Sequence, residues 1–224
     1  MKKIIISIIL ALSLMSVFSY GFIVYNWPCL LYNGQCPPKN SGQSSTQSIS
    51  PSLGQLSIEA AGFFLQANSD FQAFLKKVEL SEIYGINYDE ISILLENSIE
   101  GMEMANSLYY QVFEISKTLA LNPFVFKKLK QFDYRIFQEN SNFIPSIFED
   151  VKSFLQPVDM PGAFEKIYND TGDILEMMKS LKTLLESHSL DVPLCWDLNQ
   201  RLLESELFGQ YVSQVFSEVK KSMR

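Results

Sequence analysis

The sequence predicts an all-α protein, an antiparallel up-down bundle of four to five long helices behind an N-terminal hydrophobic helix. Three observations carry this expectation. From Leu53 onward apolar residues recur at alternating spacings of three and four, the period of an α-helix. No segment alternates cleanly at period two, as a half-buried strand would. The periodic stretches are long and the breaks between them short, which favours antiparallel neighbours. With 47% hydrophobic and 19% charged residues the chain can build a packed core, and 17 Phe and 10 Tyr make that core aromatic-rich.

The elements follow in order. The first helix carries Leu56, Ala60, Phe63, Ala67, Phe71, Phe74 and Val78 on one face and ends at Gly85. Asn87 with Glu90 forms a capping-box start for the second, which is expected to reach about Ala120 with Ile91, Leu95, Met102, Ala105, Tyr109, Val112 and Leu119 facing inward. Asn122-Pro123 pairs an N-cap with a proline at the first helical position and opens the third helix. That helix reads Val125, Leu129, Phe132, Ile136, is interrupted around Pro145, and resumes through Ile147, Phe148, Val151 and Leu155. A fourth helix from about Pro161 presents Phe164, Ile167, Ile174, Leu175, Met178, Leu181 and Leu185. Asp191 caps the last, with Leu198, Leu202, Phe208, Val212, Val215 and Val219 on its inner face.

Residues 1–27 read as a membrane anchor or signal peptide. After Met1-Lys2-Lys3, the 22 residues from Ile4 to Tyr25 carry no charge, and the next charged residue is Lys39. A helix needs about 20 apolar residues to span the hydrocarbon core. Tyr20, Phe22, Tyr25 and Trp27 gather at the far end as an aromatic belt would, and the lysines hold the N-terminus in the cytoplasm. The alternative is cleavage near Ser19 or Gly21, where the small-x-small pattern is imperfect. Either way the rest of the chain is expected outside the inner membrane of a bacterial cell, in its envelope.

Residues 28–52 read as a disulfide loop and a flexible linker rich in Pro, Ser and Gln. Cys29 and Cys36 flank an Asn33-Gly34 turn, and an oxidising compartment would close them on each other. Their spacing is too wide for a Cys-x-x-Cys redox pair. Cys195 is left over: a buried free thiol is the first expectation, and a link to another chain or pairing with Cys29 or Cys36 are the alternatives. The bundle then occupies residues 53–224.

On the second helix Asp89, Glu96, Glu100 and Glu103 fall at spacings of seven, four and three, a candidate partner-binding acidic stripe. No Lys or Arg lies between Val78 and Ser116, so the stripe has three outlets: Lys166, Lys179 or Lys182 on another helix, weakly held cations, or a basic partner. A solvated face accounts for the spacing better than a metal site, because the only histidine, His188, has no Glu-x-x-His placement. If the third helix folds back on the second, Glu114 is expected near Lys128 and Lys130. The basic cluster Lys127, Lys128, Lys130 and Arg135 reads as a solvated helix start with its neighbouring Phe126, Phe132 and Tyr134 in the core.

The net charge of −7 has the wrong sign for nucleic acid. The chain lacks His-Glu-x-x-His, Gly-x-Ser-x-Gly and phosphate-cradling glycine motifs, so neither an enzyme nor a cofactor is expected. Two functions fit. The first is a non-catalytic, membrane-tethered interaction module that binds another envelope protein or itself. The second is an extracytoplasmic sensor or carrier subunit with a small-ligand pocket between helices.

Overall fold

A computed structural model describes residues 53–137 and 144–223. The hydrophobic run at 4–25, the Cys29–Cys36 loop and the linker lie outside the described residues. Within them the protein is all-helical, with six α-helices and no strand: α1 (Leu53–Tyr84), α2 (Tyr88–Ser116), α3 (Pro123–Lys130), α4 (Pro145–Leu155), α5 (Met160–Glu186) and α6 (Val192–Lys221). Four are long and two short. The segment read from sequence as one interrupted third helix is α3, a 3-10 turn over Tyr134–Phe137, and α4. None of the described helices is long and apolar enough to cross a membrane.

Capping chemistry sets most boundaries. Asn87 accepts from the Glu90 amide, Asn122 from Phe124, Asp159 from Gly162 and Asp191 from Leu194. Each side chain satisfies an amide that the first helical turn leaves without a partner. Between α1 and α2 the chain reverses at Gly85, whose φ of +84° is the left-handed conformation that glycine adopts without a Cβ penalty. At the end of α2 the Ser116 and Thr118 hydroxyls bond back to the Phe113 and Ile115 carbonyls, and the helix stops at Ser116, four residues short of the expected Ala120.

The helices pack into a bundle with two hydrophobic clusters. One gathers Phe71, Phe74, Leu95, Met102, Met178, Leu181 and Leu198 from α1, α2, α5 and α6. The other joins Leu53, Leu56, Val112, Val125, Leu129, Phe148, Phe164, Phe208 and Val219, so that it draws in the short helices α3 and α4. Full burial of each such side chain contributes about 1.5–3 kcal/mol. The most extensive helix pair is α1 with α2, followed by α2 with α5, while α1 and α6 touch sparsely.

Small residues make the α1–α2 contact close. A Cβ added at Gly101 would stand 3.1 Å from the Ala67 Cβ and 3.3 Å from its Cα and N. Next to it, the buried Ser98 hydroxyl donates to the Ala67 carbonyl at 2.7 Å. Where α1 meets α6 the contact is polar instead. Asn68 donates to Glu206 at 2.8 Å, Gln72 donates to Asn199 at 2.7 Å, and Gln210 donates to Glu206 at 3.1 Å. Glu206 is only 4% exposed.

Candidate functional site

The acidic stripe of α2 divides in two. Glu96 and Glu103 turn toward α5, where Lys182 lies 2.9 Å from Glu96 and Lys179 lies 3.0 Å from Glu103. Two of the three lysines named from sequence thus meet the stripe, while the third, Lys166, pairs with Asp170 and Asp150. The bonded carboxylate of Glu96, with further help from Glu186 and Glu100, raises the pKa of the Lys182 ammonium. Glu114 pairs with Lys117 one turn away rather than with Lys128 or Lys130. The reason is that α3 packs on α6 instead of folding back along α2.

Asp89 and Glu100 stay on the outer face and make no ion pair with the described residues. Two apolar side chains share that face, Ile93 at 57% and Met104 at 49% exposure. The order Asp89, Ile93, Glu100, Met104 has spacings of four, seven and four, which keeps all four on one side of a helix. The outer face of α2 is therefore an acidic strip interleaved with large apolar groups, not a uniformly charged solvated surface.

The pairs facing α5 are themselves half-exposed, and exposed ion pairs stabilise weakly. Reversing charge at Glu100 and Glu103 together is expected to move the thermal midpoint by less than about 3 °C. Differential scanning calorimetry checks this, and a loss several times larger would mean that the pairs form a buried network.

A cavity of about 400 Å³ opens between α4, α5 and α6. Its charged wall comprises Asp150, Lys166, Asp170, Asp173, Arg201 and Glu204, and Phe208 also lines it. Lys166 is the hub: its Nζ lies 3.0 Å from Asp170, 3.8 Å from Asp150 and 5.4 Å from the Phe208 ring centroid. Burial raises the Asp170 carboxyl above the usual carboxylate range, against the pull of Lys166, and Asp173 and Asp150 push the same way as burial. These six side chains come from three separate helices, so the cleft exists only once those helices are packed together.

Among the described residues no cluster of histidine, cysteine, aspartate and glutamate could hold a metal ion. His188 takes a left-handed backbone conformation (φ 57°) after α5, with its ring against Tyr88. Cys195 is a free thiol, 1% exposed, and burial pushes it up to about 12, which keeps it protonated and inert.

The basic cluster departs from its sequence reading. Phe124 is 69% and Phe126 37% exposed, on the same short helix as Lys127, Lys128 and Lys130. Only Val125 and Leu129 of α3 point into the core. Tyr134 is buried and Phe132 packs against the core, as expected. Neither a protein-family model, nor a curated protein, nor a solved structure matches this chain.

Proposed function

We propose that the chain is a membrane-tethered, extracytoplasmic helical bundle that binds another cell-envelope protein and performs no catalysis. Residues 4–25 would hold it in the inner membrane of a bacterial cell, and residues 28–52 would form the disulfide-stiffened exit and the tether. The four long helices would run up and down in alternation. Their registers support this: Lys77 meets Glu90 while Ala67 meets Ser98, so a step forward on α1 is a step back on α2. The same reversal relates Glu96 and Glu103 to Lys182 and Lys179, and Asn68 and Gln72 to Glu206 and Asn199.

The observation that carries the reading is the outer face of α2. Ile93 and Met104 are not needed by the bundle's own core, and Asp89 and Glu100 on the same face form no ion pair among the described residues. Exposed apolar groups beside solvent-facing carboxylates fit a protein surface with basic and apolar character. A photo-crosslinker placed at Ile93 or Met104 in the native host is expected to yield one adduct of discrete mass that disappears with Glu100→Lys. The absence of an adduct, or the same adduct from a crosslinker at Ser146 in the distant cleft, would defeat the assignment.

The cavity between α4, α5 and α6 favours one alternative, a small-ligand sensor or carrier subunit. Its walls are charged rather than apolar, so the ligand would have to be polar, with a cationic group facing the excess carboxylates.

A further inference from the structure

The end of the bundle formed by α3 carries a surface that the interaction reading does not use. Leu53 and Leu56 at the start of α1, Val112 near the end of α2, Val125 and Leu129 of α3, and Val219 near the end of α6 share one hydrophobic cluster. The first turn of α1 and α3 therefore bury apolar side chains in the same cluster, and the chain preceding α1 leads through the linker to the hydrophobic run at 4–25. At this same end α3 displays Phe124 and Phe126 to solvent. Lys127, Lys128 and Lys130 stand beside them, and none makes an ion pair among the described residues. The Lys130 ammonium lies 4.7 Å from the Phe126 ring centroid, which pairs one of the three lysines with one of the two rings.

Charge is distributed unevenly around this patch. The protein has a net charge of −7, yet α3 contains three lysines and no acid. The nearest cations in sequence, Lys117 and Arg135, are already paired with Glu114 and Asp133. A basic surface partner of the kind that suits the α2 face cannot suit this one.

We propose that α3 is a docking surface for an anionic lipid bilayer: Phe124 and Phe126 enter the headgroup region while Lys127, Lys128 and Lys130 contact lipid phosphates. Aromatic rings favour the membrane–water interface, and lysine stems lie along apolar surface while their ammonium groups reach the phosphates. Docking of α3 lays the tethered end of the bundle against the membrane and turns the free tether into a two-point attachment. The inference rests on the membrane assignment of residues 4–25 for its geometry. Its chemistry stands on α3 alone.

The test uses the full chain in nanodiscs of phosphatidylcholine, with or without a quarter of phosphatidylglycerol. Hydrogen exchange across residues 123–132 is expected to slow about tenfold only in the anionic discs. Half-molar salt should restore it, because surface attraction decays within a Debye length. Lys127→Gln/Lys128→Gln/Lys130→Gln should abolish the protection. So should Phe124→Ser/Phe126→Ser, whose substitutions lie on exposed positions, with circular dichroism to check that the helix content is kept. Equal exchange in both discs would overturn the proposal. Protection in detergent accompanied by a doubled mass would overturn it too, by assigning α3 to a second copy. Alkaline carbonate extraction separates the two readings. A chain released by carbonate refutes the anchor, and its flotation with anionic but not neutral vesicles would still be required of α3.

Discussion

Gly101→Leu is expected to lower stability by about 3 kcal/mol and the thermal midpoint by about 6–12 °C. At Gly101 the backbones of α1 and α2 approach closely. Even a single added carbon would sit 3.1–3.3 Å from Ala67, and two of the three atoms it meets belong to the backbone. A backbone atom cannot rotate away, so a leucine must separate the helices. Separation would also stretch the 2.7 Å bond from Ser98 to the Ala67 carbonyl and loosen Met102 and Ala105, both fully buried. Gly101→Ala is the informative companion: alanine favours the helix by about 1 kcal/mol over glycine, which offsets part of its crowding. Thermal and urea unfolding of both variants check the pair. An unchanged midpoint for leucine would show that α1 and α2 do not touch at Ala67.

The second large effect is expected at the polar seam between α1 and α6. Asn68→Leu should cost about 2–3 kcal/mol, since it removes a donor 2.8 Å from a carboxylate that is almost fully buried. Glu206 would keep the Gln210 bond but lose the one from Asn68 on α1. The double variant Asn68→Leu/Glu206→Leu should lose less than the sum of the two single changes, because no buried carboxylate is then left short of a donor. Urea unfolding of the two single variants and the double variant closes this cycle. Strict additivity would mean that Asn68 and Glu206 do not act as a pair.

Much of the fold was legible because it is written locally. Asn87, Asn122 and Asp191 announce helix starts through side chains that reach an amide two or three residues on. Asp159 does the same, but Pro161 two residues later drew the boundary instead. The face of α1 was harder to read. Phe64 rather than Phe63 is buried, together with Ala60 and Ala61, so the apolar arc of α1 is wider than a strict three-and-four spacing marks out. Phe126, flanked by core-forming residues in sequence, was assigned inward, yet an eight-residue helix with one turn against the core must show its other aromatics to solvent.

The candidate sites were legible only in part. The acidic stripe is visible as a spacing, and the lysines able to meet it could be named. Which glutamates would be used was not visible, because that depends on α5 lying beside α2, a contact between segments some eighty residues apart. The cleft around Lys166 was not visible, because its residues on α4, α5 and α6 read singly as ordinary helix surface until the three helices are brought together.

Native mass spectrometry of the full-length chain, gently extracted from its host's membranes, tests the central claim most directly. The account predicts a subunit that retains residues 1–21 and carries an additional mass of protein size, lost when Glu100 is replaced by lysine. A subunit bearing only a few hundred daltons, unaffected by Glu100→Lys and displaced by changes at Asp170 or Lys166, would contradict it and assign the function to the cleft.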